Sequence, residues 1–216
     1  MAALAPEIFI NTLLQAGFAA VKADTSIVQE VFSTLIEEEQ EEIVEFFSKE
    51  TITTRIGKPP RGPDYKVPLV VIESVGEDEM AEQDLLGDFI GEELDGFQGH
   101  VSSGVRLRAT YNIIFVGKDN RQARILYRTA VALLILYRYQ LEAAGFQNRR
   151  MTGNKDVVVD LGADPLEGKM MTLSGEYWFS VKTSERLRNL NFVVGVEATT
   201  GQSQINTVVV SVDSQP

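Results

Sequence analysis

Gly162-Ala163-Asp164-Pro165-Leu166-Glu167-Gly168-Lys169-Met170 comes near a phosphate-cradling loop, in which backbone N–H groups and a lysine hold a nucleotide's phosphates. It has one residue too many between its glycines and a methionine where a magnesium-binding hydroxyl belongs. Its acids would also repel phosphate, so a turn between two strands is the expectation. Pro63-Asp64 before an apolar strand, with Glu167-Gly168-Lys169 further on, holds the residue types of a metal-dependent nuclease: acids to bind a cation and a lysine to activate water. Their wide separation departs from the usual arrangement on neighbouring strands. Glu77-Asp78-Glu79 with Asp84 and Asp88 offers hard oxygen ligands for calcium, but the EF-hand spacing is missing. His100 is the single histidine and there is no cysteine, so one chain cannot build a histidine triad, a histidine zinc cluster, a thiolate nucleophile or a disulfide. A non-catalytic chain without cofactor or metal is expected.

Charge is the next source of function. Arg106, Arg108, Arg121, Arg124, Arg128, Arg138, Arg149 and Arg150 could meet phosphates. No recognition helix, zinc finger or RNA-binding signature accompanies them, and a net charge of −11 opposes tight nucleic-acid binding. Glu73 to Asp95 carries acids and no basic residue, whereas Arg106 to Arg150 is basic apart from Asp119 and Glu142. Opposed segments of this kind suit contact between identical subunits, because complementary potentials steer and register the encounter. Two solvated faces of unlike sign would account for it equally well.

The elements that must position these residues follow from pattern. With 216 residues, 44% hydrophobic and 24% charged, the chain has a globular composition. Ile8, Phe9, Leu13, Ala16 and Ala20 predict a first helix with Gly17 as a soft spot; Asp24-Thr25-Ser26 offers an N-cap for a second, and the acidic run Glu37 to Glu45 reads as its solvated face. Gly57 to Pro63 is too rich in proline and glycine for regular structure. Val67 to Ile72 reads as a strand, and the glycine-dotted acidic stretch Gly76 to Gly99 as a long loop. Val105 to Val116 alternates and then turns wholly apolar, which predicts a strand half exposed and then buried. Asp119-Asn120 caps the longest expected helix, Arg121 to Ala144, closed by Gly145. Its run Ala130 to Tyr137 is apolar nearly all round and needs cover on more than one side. Strands are expected at Asp156 to Leu161, Lys169 to Thr183, Leu190 to Ala198 and Thr207 to Val212.

The expected fold is α+β: a mainly antiparallel sheet packed by a long central helix, with an N-terminal helical region (1–56), a core domain (57–188) and a C-terminal strand extension (189–216). No run approaches the length of a membrane span, and Met1-Ala2-Ala3-Leu4-Ala5-Pro6 does not read as a secretory signal, so no membrane partner and a cytosolic origin are expected.

The order of elements resembles the tail terminator (tail completion) proteins of long-tailed bacteriophages and related contractile particles. It is carried by the strand Val67-Pro68-Leu69-Val70-Val71-Ile72-Glu73, the acidic segment, the strand Arg106 to Val116, and Lys118-Asp119-Asn120-Arg121 opening a long helix. The strands around Val157 and Tyr177-Trp178-Phe179-Ser180-Val181 complete it. The resemblance spans about Val67 to Thr183 and lies in pattern; a longer N-terminal helical region and an extra strand pair from Leu190 depart from it. It implies a homohexameric virion ring, assembled in the host cytoplasm, that caps the tail tube and docks on the head connector, with sheath subunits as further neighbours. DNA would pass through the lumen without tight binding, since an acidic wall repels phosphate. On that reading Glu77, Asp78, Glu79, Glu82, Asp84, Asp88, Glu92, Glu93 and Asp95 are candidates for the lumen wall or for docking to a neighbouring ring. Arg121, Arg124, Arg128 and Arg138, with Val208 and Val210 of the last strand, are candidates for contact between subunits. A head-completion or connector protein, a sheath or baseplate initiator and, from another class, the metal-dependent nuclease are the alternatives.

Overall fold

The computed structural model describes residues 5–59, 66–79, 88–95, 98–160, 165–182, 192–194 and 208–210. Pro6 opens helix α1 (Pro6–Ala23), where a missing N–H is harmless. The buried stripe of α1 is Ile10, Leu13, Leu14, Gly17, Phe18 and Val21, one helical face at i, i+3, i+4, i+7 spacing. Ile8, Ala16 and Ala20, expected on that face, are exposed. The reason lies at Gly17: a Cβ there would come 2.6 Å from Leu133 Cδ1, so this glycine is the point of closest approach to a neighbouring helix.

Asp24 stands before helix α2 (Ser26–Val31), its carboxylate accepting from the Ser26 backbone N–H at 3.0 Å. Phe32 to Ile36 then separates α2 from α3 (Glu37–Lys49), where the Gln40 side-chain amide donates to the Phe32 and Leu35 carbonyls, each at 3.0 Å. Asp119 caps α4 (Asn120–Leu136) as expected, its carboxylate accepting from Gln122 N–H at 2.8 Å. The single helix expected over Arg121 to Ala144 is instead two. Tyr137, at φ −91° and ψ 18°, leaves the helical basin, and α5 (Arg138–Ala143) follows. At 18 residues α1 is therefore longer than α4, at 17, and no single long central helix dominates. Gly145 closes α5 with φ +90°; its N–H donates to Glu142 O and that of Phe146 to Leu141 O, both at 2.9 Å, while Phe146 and Leu141 are both buried.

The strands are β1 (Thr53–Ile56), β2 (Leu69–Glu79), β3 (Asp88–Asp95), β4 (Gln98–Val116), β5 (Gln147–Asp160), β6 (Pro165–Lys182), β7 (Phe192–Val194) and β8 (Val208–Val210). Their main sheet runs β1-β2-β4-β6-β5, with β3 also paired to β4, and β7 pairs with β8 in a sheet of two strands. The fold is α+β, but the sheet is mixed: β1 lies parallel to β2, while the β2–β4, β3–β4 and β5–β6 pairs are antiparallel. The parallel strand β1 falls where the sequence pattern, four mostly polar residues, gives no strand signal.

Two compact units result, one of Met1–Asp84 with Arg106–Phe179 and one of Leu85–Val105 with Ser180–Pro216. In the first, the helical region 1–56 shares one core with the sheet. Val70, Ile72, Ala109, Tyr111, Ile113, Phe115, Met171 and Leu173 form the inner face of the sheet against α1, α3 and α4. On the opposite face Leu69, Val71, Ile114, Val116 and Val159 make a smaller apolar cluster. From Val105 onward β4 thus runs half exposed and then buried on both faces, as its alternation predicts. In the second unit β3 pairs antiparallel with residues 98–104 of β4, and Phe192, Val193 and Val194 face Val210, Val209 and Val208.

Candidate docking surfaces

The acidic stretch expected as a loop is largely strand. Strand β2 continues through Glu79, and β3 occupies 88–95. The glycines that suggested a loop mark irregular positions in ladders: the β2 register shifts between Ser74 and Gly76, and the β3 register between Phe89 and Gly91. Glu77, Asp78 and Glu79 are exposed at the end of β2. Asp88, Glu92, Glu93 and Asp95 belong to the backbone of β3, opposite Gly104, Val101, His100 and Gln98. Glu82 and Asp84 lie outside the described residues.

Four predicted interface arginines have different fates. Arg121 pairs with Glu42 at 2.5 Å and Arg128 with Glu39 at 2.9 Å, so both are engaged by α3 within the chain. The Glu42 carboxylate, by accepting from Arg121 and through its charge, raises that guanidinium's pKa further. The acidic run Glu37 to Glu45 is therefore not only a solvated face. Arg124 is exposed, and Arg138 lies over the Tyr139 ring, 4.5 Å from its centroid. Val208 and Val210 pair with Val194 and Phe192.

The near-motifs for catalysis settle into ladders. Glu167, Gly168 and Lys169 are β6 residues opposite Val158, Val157 and Asp156, and the Lys169 ammonium pairs with the Asp156 carboxylate. A Cβ at Gly168 would stand 3.0 Å from the Phe115 carbonyl oxygen, so this glycine serves close strand approach. Gly162, Ala163, Asp164, Pro63 and Asp64 lie outside the described residues. Among the described residues no three His, Cys, Asp or Glu side chains group to hold a metal ion, and no helix is long and apolar enough to cross a membrane.

A buried acid that the sequence did not single out ties three strands together. Glu176, 5% exposed, meets Arg106 at 2.6 Å, Arg108 at 2.9 Å and the Asn148 side-chain amide at 2.7 Å. The hydrogen bonds from Asn148 and Arg108, with the charge of Arg106, hold its carboxyl below the usual glutamate value. Its only sequence signal is an acid between apolar residues of a predicted strand. On the inner face, Tyr177 donates to Glu77 at 2.8 Å, reaching past β4 where Ala109 is small. Tyr111 donates to Glu7 at 3.1 Å. Burial first, then the acid in each pair, pushes both phenols up.

These contacts define one end of the first unit. Ion pairs Lys118–Glu50, Arg121–Glu42 and Arg128–Glu39 set α3 antiparallel to α4, which brings Ile36 toward Ile135 and Leu136. Phe146, just after α5, fills the space above Gly175 of β6, a Cβ there lying 2.4 Å from its ring. Large apolar side chains are exposed on these elements: Ile36 63%, Ile135 52%, Leu136 52% and Tyr139 62% in the helical part, Val75 58%, Val158 74%, Trp178 38% and Phe179 51% on the strands. The cover expected over Ala130 to Tyr137 thus stops short of its last turn within the chain.

A second surface lies along the opposite face of the sheet. Lys58 and Pro59, after edge strand β1, and Val157, Val158 and Val159, on edge strand β5, line one open cleft of about 980 Å³ with Glu73 and Ile114. Bulges interrupt the far edge of the sheet: the register of β5 shifts between Gln147 and Arg150 and between Thr152 and Lys155, where Asn148 has φ +46° and Gly153 φ +102°. Set beside the models of known protein families and beside curated proteins, the chain matches none.

Proposed function

We propose that the chain is a ring-forming structural subunit of a bacteriophage neck, of the tail terminator kind, which caps the tail tube and joins it to the head connector. The observation that carries the reading is the set of large hydrophobic side chains exposed on helices and strands, with exposed acids at the end of β2. Such side chains are costly in water on a lone molecule, and assembly removes them from it. The element order supports the neck assignment: β2, an acidic segment, β4, the Asp119-capped helix, then the β5–β6 pair. Acids of the segment from Glu77 to Asp95 form the lumen wall or meet a neighbouring ring, letting DNA slide past without adhering. With Arg121 and Arg128 taken up by α3, contact between copies passes to the exposed apolar side chains and to the sheet edges.

Negative-stain imaging with light scattering of the purified chain tests this, alone and with tail-tube subunits. Closed rings are expected. A chain that stays monomeric in both conditions, or magnesium-dependent DNA cleavage abolished by Glu167→Ala, overturns the reading in favour of a nuclease.

A further inference from the structure

Two helix ends in the first unit forgo their ordinary chemistry. Ile36 occupies the N-cap of α3, where a short polar side chain is favoured; it makes no cap hydrogen bond and stands exposed. The last turn of α4 holds no basic residue to meet its free carbonyls and ends on exposed Ile135 and Leu136, with exposed Tyr139 on α5 just beyond. The ion pairs Glu50–Lys118, Glu42–Arg121 and Glu39–Arg128 run in opposite directions along α3 and α4, so Ile36, one turn before Glu39, lies beside the last turns of α4. This apolar patch has flanks of unlike charge. Glu37 and Glu38 follow Ile36 on the α3 flank, and Arg138 lies over the Tyr139 ring on the α5 flank. All three are exposed, and none is in an ion pair among the described residues, although Glu39, Glu42 and Glu50 of the same acidic run are.

We infer that this patch is a two-fold contact between copies of the chain: Ile36 of each copy packs on Ile135, Leu136 and Tyr139 of the other, and Glu37 and Glu38 of each meet Arg138 of the other. The charge layout chooses a second copy as the occupant. A two-fold axis through the patch sets the acidic flank of each copy against the basic flank of the other, so both ends of the contact pair acid with arginine. An apolar centre with tyrosine, arginine and a charged rim is also the composition of an interface. A lipid surface fits less well, since exposed acids beside the patch and a net charge of −11 repel anionic headgroups. This contact is separate from the heterologous one that closes a cyclic ring; it pairs two copies, or two rings, back to back.

Light scattering on the full chain is the test, with circular dichroism confirming that each variant is folded. The wild type is expected as dimers or paired rings. Ile135→Ser with Leu136→Ser, which alters exposed side chains only, should halve that mass and raise the concentration needed for pairing by roughly a hundredfold. Arg138→Glu, and separately Glu37→Arg with Glu38→Arg, should raise it roughly tenfold. Mixing those two charge variants should restore pairing, because each then meets its opposite. Pairing untouched by the two serines, or not restored in the mixture, overturns the inference while leaving ring closure through another surface intact. A wild-type chain found only as monomers or single rings overturns it too, and one that also floats with phosphatidylcholine vesicles assigns the patch to lipid. Symmetry has its own readout. Because the chain has no cysteine, a variant carrying Glu38→Cys and Arg138→Cys should stop at covalent dimers under mild oxidation. A ladder of trimers and longer species would show a head-to-tail contact and refute the two-fold pairing.

Discussion

Replacing Glu176 by glutamine removes one charge from the most buried acid among the described residues and keeps its size. Its side chain is 7% exposed and receives Arg106, Arg108 and Asn148, so the carboxylate takes two charge-assisted hydrogen bonds, from Arg108 and Asn148, and an ion pair with Arg106. Removing one member of a fully buried pair costs roughly 3–5 kcal/mol. Arg106 and Arg108 are 31% and 54% exposed and can turn to water, which brings the expected loss down to about 2 kcal/mol. The pH dependence has a definite sign. The folded carboxyl is held below its ordinary value of 4.5, so its contribution is fully present above that pH and fades as pH falls through the lower folded value. Glutamine has no such term. Urea unfolding followed by Trp178, the single tryptophan and two residues away, with far-UV circular dichroism as second probe, gives the difference between wild type and variant. That difference should be near its full size at about pH 7 and shrink as pH falls through the lowered folded value. A difference that stays constant across that range, or one below about 0.5 kcal/mol at neutral pH, would show that the three strands are not held by this charge.

Gly175→Ala should destabilise the fold by about 1–3 kcal/mol, because its Cβ would stand 2.4 Å from the Phe146 ring; Phe146→Leu in the same chain should recover part of that loss, and thermal unfolding of single and double variants checks both. Asp119→Ala removes the cap on Gln122 N–H and should cost about 1 kcal/mol in the same assay, Asp119→Asn much less. Arg121→Glu places like charges together at Glu42, and the swap Arg121→Glu with Glu42→Arg should restore the lowered melting temperature; a drop in ring formation without any change in melting temperature would return Arg121 to the surface between subunits.

Helix punctuation was the most legible part of the fold. Asp119 and Gly145 act through local chemistry, a side-chain acceptor and a positive φ, and both do what their positions predict. The face of α1 was harder to read. Apolar residues lie all round its first turns, and only the approach of Leu133 to Gly17, a contact distant in sequence, selects the stripe that is buried. Strands β1, β3 and the first half of β5 lacked an alternating pattern to follow. Thr53 to Ile56 lies at a sheet edge with one face exposed, and the polar run Gln147 to Lys155 is an edge strand broken twice by bulges. Edge strands tolerate polar residues on both faces, so composition marks them as loops. Of the candidate residues, the acids of β2 were placed at the surface by their own polarity. The pairing of Arg121 and Arg128 with α3 depends on how two helices pack, and the node at Glu176 on three strands meeting, so neither was visible in local pattern.

The bulge in β2 shows how such irregularity decides which side chains reach the surface. Ser74 faces Tyr111 and Gly76 faces Thr110, so Val75 is the extra residue between them. Side chains alternate with period two, and one inserted residue exchanges the faces of everything beyond it. Before the bulge, Val71 shares the cleft-side face with Ile114; after it, Asp78 shares that face with Arg108, while Glu77 turns inward to the Tyr177 hydroxyl. In an unbroken ladder Glu77 would stand on the cleft-side face and Asp78 against the core. The bulge instead gives the inward acid a phenol partner, leaves Asp78 and Glu79 exposed, and pushes Val75 itself, 58% exposed, out beside them. An apolar side chain flanked by acids at a strand end is thus built by the register shift. The register of β5 shifts twice as well, between Gln147 and Arg150 and between Thr152 and Lys155. The exposure of these β2 side chains therefore traces to an extra residue in a strand, which is why an alternation count along the sequence passes over it.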